Sequence, residues 1–307
     1  MKILVTGGAG FIGSHIVNAY IDAGNDVTVI DNLSTGEMKL VNPKATFYQL
    51  DIHSPEVKTI LEKEKITVIN HHAAQISVSS SISNPLLDAN SNIIGTLQLL
   101  QNAVSSKVEK FIFASTGGAM YGEQKTFPAS EEHPCQPLSP YAISKLCAER
   151  YINYFGTQHG LNTTVLRYSN VYGPHQNQYG EAGVVAIFCG RLLKGQQPII
   201  NGDGEQTRDF VYVKDIVQAN SIALNSQCTG LFNAGTGKET TINFLTRSLV
   251  KASAVATSIE YGPAIKGEQK RSVIDSGKLL NGFGWKPGVS VEEGLLETFN
   301  YFKNQTT

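Results

Sequence analysis

The apolar run Lys2 to Val5 passes through Thr6 into Gly7-Gly8-Ala9-Gly10-Phe11-Ile12-Gly13, after which Gly13 to Ala23 carries apolar residues at helical spacing. This order predicts strand, tight turn and helix. It satisfies both G-x-x-G-x-x-G from Gly7 and G-x-G-x-x-G from Gly8. Glycines so placed permit the turn, let backbone N–H groups approach a pyrophosphate at the positive end of the helix, and pack that helix closely on the strand. An ordinary strand-to-helix turn can carry the same glycines, so the surrounding chain has to decide.

The surroundings favour a dinucleotide. Asp31 closes the second apolar run, 18 residues beyond Gly13, where its carboxylate can accept hydrogen bonds from the adenosine ribose. The same charge would repel a 2′-phosphate, and the following Asn32-Leu33-Ser34-Thr35-Gly36 contains no arginine, so NAD is expected rather than NADP. Asp51-Ile52, after the third run, is placed either to meet adenine or to cap a helix.

Further apolar runs, Asp26 to Ile30, Thr46 to Leu50, Thr67 to Asn70, Lys110 to Ala114 and Asn162 to Leu166, alternate with amphipathic windows such as Pro85 to Val104 and Pro140 to Gly160. Strand–helix alternation predicts an α/β chain with a doubly wound parallel sheet. After about Tyr172, turn formers crowd together at Gly173-Pro174, Gly180, Gly195, Pro198 and Asn201 to Gly204, which predicts a smaller, mixed lobe. The boundary is placed near residue 170, with 1–170 as one domain and 171–307 as the other. Within the second, 209–236 reads as strand, helix and strand and is expected to return to the first.

The chain is long enough for this, since 307 residues suit two domains at roughly 100–200 residues each. Apolar residues at 41% argue against disorder, and a net charge of −1 leaves no basic field for nucleic acid. The four cysteines form no C-x-x-C pair, and the first apolar run stops at Gly7 before a signal sequence could form. A soluble cytoplasmic protein with no membrane segment is expected.

Tyr141 and Lys145 lie four apart after Pro140, on one face of the predicted helix. A phenol ordinarily titrates near 10, and a neighbouring ammonium together with a cationic nicotinamide would favour its phenolate, giving a base. Such pairs also occur on plain helix surfaces.

Taken with Thr6 to Gly13, Asp31-Asn32-Leu33, His71-His72-Ala73-Ala74-Gln75, Ser115 to Gly122, Arg167 to Pro174 and Gly202 to Val213, the pair completes a pattern over nearly the whole chain. The chain resembles the extended short-chain dehydrogenase/reductases, most closely the UDP-glucose 4-epimerase group of nucleotide-sugar epimerases. The resemblance implies a Rossmann domain with a nucleotide-sugar lobe, and a 4-epimerase that oxidises and re-reduces C4 with tightly held NAD. It implies proton transfer by Tyr141, a ribose-binding Lys145, and a hydroxyl on the sugar O4 from Thr116 or Ser115. NAD would meet Gly7, Gly10, Phe11, Ile12, Gly13, Asp31, Asn32, Leu33, Ser34, Thr35, Asp51, Ile52, Ala73, Ala74 and Gln75, with Asn90 and Tyr168 toward the nicotinamide. The UDP-sugar would meet Asn170, Val184, Arg208 and Glu268 besides Thr116 and Tyr141.

Two departures from the family pattern bear on substrate. Ile265 and Glu268 stand where many relatives carry an arginine and, three residues on, an aspartate, so pyrophosphate pairing falls to Lys266 or to Arg208 alone. Ser272 aligns with a gate beside the sugar, where a tyrosine restricts relatives to plain hexoses; a small residue leaves room for an N-acetyl group. A one-residue shift would put Val273 or Arg271 there, and Arg271 would favour UDP-glucuronate. The resemblance also implies a homodimer through the 85–104 and 140–160 helices, with Ile93, Ile94, Leu97, Leu100, Leu146 and Tyr154 as a candidate apolar stripe.

Other readings are weaker. Dehydratases of this fold need a carboxylate pair after the threonine, where this chain has Gly117-Gly118. A decarboxylase and a non-catalytic NAD-responsive binding protein are the remaining alternatives. His71-His72 cannot chelate one ion from a strand, because neighbours point to opposite faces, so no metal is expected. Gly235-Thr236-Gly237-Lys238 lacks the first glycine and the hydroxyl of a phosphate loop, and Trp285 reads as a core anchor.

Overall fold

The computed structural model describes residues 1–178, 183–255, 257–265 and 269–306. Its centre is a seven-stranded parallel sheet built from β1 (Lys2–Thr6), β2 (Asp26–Asp31), β3 (Thr46–Gln49), β4 (Val68–His71), β5 (Lys110–Thr116), β6 (Asn162–Tyr168) and the strand Gly230–Ala234. The spatial order is 230–234, β6, β5, β4, β1, β2, β3. Chain order therefore reverses between β1 and β4, the place where a doubly wound sheet opens a crevice at its strand ends. The α/β expectation holds.

Alternation along each strand feeds two cores. Ile3 and Val5 face Ile16, Val17 and Tyr20 of the Phe11–Asp22 helix, joined by Ile216 and Ala219 of the Val213–Ala223 helix. Leu4 faces the other way, into a cluster with Leu61, Leu99, Leu100, Ile152 and Phe155. Burial of each such side chain is worth about 1.5–3 kcal/mol. The 210–234 stretch thus lies against the first core, with Gly230–Ala234 paired on β6. Trp285 is buried and donates its indole N–H to the Asp215 carbonyl.

Two local features differ from the sequence reading. β5 and β6 each run two residues further, which carries Ser115 and Thr116 onto the end of β5. The single helix expected over 85–104 is three pieces: Pro85–Ala89, a π-helical segment Asn90–Ile94, and Gly95–Ser105. The cause is a buried asparagine. Asn92 bonds the backbone of Gln75 through both its amide atoms, and the helix widens to let it turn inward.

The rest of the chain forms short sheets. Thr240–Thr241, Thr207–Arg208 and Arg271–Ser272 make one, while Asn170–Tyr172 pairs with Phe210–Tyr212 and Glu260–Gly262 with Ile199–Asn201. Helices Val184–Leu193, Ile242–Ser253 and Val291–Thr306 enclose a third core around Phe188, Leu245 and Phe299.

The candidate apolar stripe divides. Leu100 is fully buried and Leu97 packs with it on the core of the sheet, while Leu146 packs on a separate cluster of Met120, Tyr121, Ala129 and Ile274 of its own chain. Ile94 and Tyr154 are exposed, together with Leu86, Leu87 and Ile143.

Candidate active site

Steric limits at the glycine turn are severe. Gly7 sits at φ +71°, where a Cβ would come within 2.7 Å of the Ala73 nitrogen, and a Cβ on Gly13 would overlap the Gly7 carbonyl. Gly10 precedes the Phe11–Asp22 helix in extended conformation, and no side chain caps that end. The first-turn N–H groups of Phe11, Ile12 and Gly13 are therefore available to an anionic ligand, with Ala73 packed against the turn.

Asp31 organises the rim. One oxygen accepts from Ala9 N (3.0 Å) and the other from Leu33 N (2.8 Å), which holds Leu33 at φ +57° and presents Ser34 and Thr35 to solvent. Asp51 accepts from His53 N and from the Asn32 amide (2.8 Å), so it closes its own turn and braces the Asp31 loop. The Glu56–Lys63 helix starts after Pro55 with no side-chain cap, so Asp51 does not cap it. Ile52 is buried beside Gly95.

Ser139 accepts from Ala142 N and starts the Pro140–His159 helix, which places Tyr141 in the first turn and Lys145 one turn later. Lys145 is buried, donates to the Ala114 carbonyl (3.0 Å) and lies 4.6 Å from the centre of the Phe113 ring. Burial lowers its ammonium to about 8, against the opposing pull of Asp88 and Glu149. Tyr141 moves the other way, its phenol pushed above the ordinary value by burial and then by the Asp88 charge.

Neighbours on a strand face opposite ways, and this separates the two hydroxyls. Ser115 is buried and donates to Glu149 (2.6 Å), which also holds Arg167 in a buried ion pair (2.6 Å). That commitment takes Ser115 away from the site. Thr116 is half-buried and accepts from Ala119 N (3.2 Å), beside the Gly117-Gly118 turn.

Opposite that turn stands Ser272, buried, its hydroxyl 3.4 Å from the Gly118 carbonyl. Arg271 points out instead, bonding Glu239 through two nitrogens (2.8 and 2.7 Å) and lying 3.7 Å over the Phe127 ring. Val273 is buried and its N–H meets Gln124. Asn170 places its Oδ1 near Gly118, and this atom, like His72 Nδ1, is one of several buried side-chain atoms with no hydrogen-bond partner among the described residues. Arg208 is half-buried on the strand beside Ser272, and Val184 opens the 184–193 helix. Glu268 and Lys266 lie outside the described residues.

Two side chains differ from expectation. The Tyr168 ring is buried with its hydroxyl among Asn220 and His72, turned into the first core, so only its backbone adjoins Gly117. Asn90 is exposed, and Asn92 is the asparagine that grips the Gln75 loop. Asn92, Asp88 and Ser144 were missed by sequence reasoning; the available signal was a carboxylate and an amide one helical turn apart, Asp88 and Asn92. His71 bonds Thr6 and Thr96 and is held neutral by burial, and no metal-binding group of three His, Cys, Asp or Glu side chains occurs among the described residues.

A parallel sheet reversing at β1, with a glycine turn leading into an uncapped helix, defines a dinucleotide-binding enzyme of the extended short-chain dehydrogenase/reductase type. The chain belongs to the NAD dependent epimerase/dehydratase family, whose model matches residues 3–235, and NAD is its cofactor. It is similar to the UDP-glucose 4-epimerase of Mycolicibacterium smegmatis, 38% identical over all of both chains. Its structure is similar to that of a UDP-glucose 4-epimerase from Thermotoga maritima solved with UDP-glucose, with TM-score 0.97, 46% identity and 100% of each chain covered. It is also similar to a UDP-N-acetylglucosamine 4-epimerase from Methanobrevibacter ruminantium, with TM-score 0.94, 37% identity, and 99% of this chain and 98% of that one covered. Among the described residues no helix is long and apolar enough to cross a membrane.

Proposed function

We propose that this protein interconverts the C4 epimers of UDP-hexoses and accepts N-acetylated hexoses as well as UDP-glucose and UDP-galactose. The observation that carries this reading is the strand end itself. Thr116 offers a hydroxyl, Tyr141 and Lys145 stand one turn apart on the next helix, and the Gly117-Gly118 turn that faces Ser272 brings no carboxylate. Such a site can move a proton at O4, but it lacks the acid–base pair that water loss needs.

NAD, when bound, supplies the hydride acceptor and donor for C4. The glycine turn and the helix it opens would hold its pyrophosphate, Asp31 its adenosine ribose and Lys145 its nicotinamide ribose. Tyr141 takes the O4 proton and returns it, while Thr116 orients O4. A 4-keto sugar must then present its other face, which is why a roomy sugar pocket matters. Asn170 and Arg208 hold the diphosphate, with Val184 along the uridine. On the same reading 1–170 with the returning 209–236 stretch form the NAD-binding domain, and the rest of 171–307 forms the sugar-nucleotide domain. All four cysteines are free, which supports a reducing cytoplasmic setting. The exposed Leu86, Ile94, Ile143 and Tyr154 support a homodimer through these helices.

The test is a comparison of kcat/KM for UDP-glucose, UDP-N-acetylglucosamine and UDP-glucuronate in wild type and Ser272→Tyr. Wild type should turn over the first two, and the added ring should exclude the acetamido substrate selectively. An unchanged ratio between acetylated and plain sugars would refute the gate. The commitment of Arg271 to Glu239 and Phe127 weighs against glucuronate as the substrate.

A further inference from the structure

We infer that Asp88 is a positioning residue that ties the loop carrying Ala73 to Gln75 to the helix carrying Tyr141 and Lys145, and that its charge bears on both of those side chains. The inference rests on the Tyr141 chemistry proposed above.

Asp88 lies in the Pro85–Ala89 helix and is completely buried. One carboxylate oxygen accepts from the Ser144 hydroxyl at 2.5 Å. The other accepts from Gln75 Nε2 and from Asn92 Nδ2, both at 2.9 Å. Ser144 sits between Tyr141 and Lys145 on their helix, Gln75 belongs to the loop after β4, and Asn92 belongs to the π-helical segment. One side chain thus joins three elements, and Asn92 adds two bonds to the Gln75 backbone.

All three donors are neutral. An asparagine could make the same contacts without the desolvation cost of a buried charge, so the charge itself calls for a use. Its ionic surroundings supply one. Lys145 and Glu149 share the catalytic helix, and Glu149 is taken up by Arg167 of β6. His71 and His72, from the end of β4, are held neutral by burial. Asp88 is then the stronger of two anions, ahead of the Arg167-paired Glu149, that support the Lys145 ammonium against burial, and by the same field it disfavours ionisation of Tyr141.

The experiment uses NAD-loaded wild type, Asp88→Asn and Ser144→Ala. Ionisation of Tyr141 is read as phenolate absorbance, less that of the matching Tyr141→Phe protein, alongside the pH profile of kcat. Asp88→Asn keeps acceptors for Gln75 and Asn92 and offers Ser144 a donor while removing the charge. Its Tyr141 midpoint should fall by roughly one unit. Ser144→Ala keeps the charge with one donor fewer, and its midpoint should rise. An unchanged midpoint in Asp88→Asn, or movement of both variants in the same direction, overturns the inference. If Asp88→Asn does not fold, Ser144→Ala decides: a rise supports the inference, and no change or a fall overturns it. A wild type that epimerises no UDP-sugar would defeat the proposed function while leaving the phenol titration readable, so the two failures are distinct.

Discussion

Lowering the pH from about 7 to about 5 should cost this protein about 2 kcal/mol of folding stability through His72 alone. The imidazole bonds the Tyr168 hydroxyl at 3.1 Å, and burial followed by the charge of Lys145 lowers its titration from 6.5 to about 3. The unfolded chain therefore takes up a proton below 6.5 that the folded chain refuses. Stability is fully present above 6.5 and is lost as pH falls from there toward 3. Between these pH values the unfolded imidazole goes from about one quarter to almost fully protonated while the folded one stays almost unprotonated, which integrates to about 2 kcal/mol; a folded value anywhere below about 4 leaves it nearly unchanged. His71, His15 and His175 are displaced in the same direction and add to the fall. His72→Gln keeps a polar partner for Tyr168 and removes the titration. Urea unfolding of nucleotide-free wild type and His72→Gln at both pH values isolates the difference. A variant that loses stability as steeply as wild type would refute the reasoning.

Tyr141→Phe should lower kcat by about 10² to 10⁴ while NAD stays bound; more than a tenth of wild-type turnover would remove Tyr141 from proton transfer. Asp31→Asn should shift the binding ratio of NADP to NAD upward by roughly tenfold or more, since it removes a charge that opposes the 2′-phosphate; competitive titration of the two nucleotides checks it. Leu100→Ala should cost about 2–5 kcal/mol in denaturant unfolding without altering mass in solution, whereas Ile143→Asp with Tyr154→Asp should reduce a dimer to the 33.2 kDa chain by light scattering. A wild type that already scatters as a monomer at every concentration would remove the dimer.

The parts of the site legible in the sequence are those set by local geometry. A glycine turn between strand and helix, an acid at the next strand end and a tyrosine one turn before a lysine are short-range patterns, and their placement follows from the local backbone alone. The sheet was legible for the same reason, because apolar alternation and strand–helix rhythm are local periodicities.

What stayed hidden depended on which surface each element met. Periodicity marked Ile94 and Leu100 alike as apolar, yet Leu100 faces the sheet and Ile94 the solvent. Ser115 and Thr116 differ only in the side of β5 they occupy, and Glu149, 34 positions along the chain, is what claims Ser115. The Asp88–Ser144 bond spans 56 positions, and Ser272 meets Gly118 across 154. Contacts of that span carry no local signature: sequence by itself determined the kind of fold and the one-turn spacing of Tyr141 and Lys145, and only tertiary packing decided which hydroxyl, which asparagine and which carboxylate lie around them.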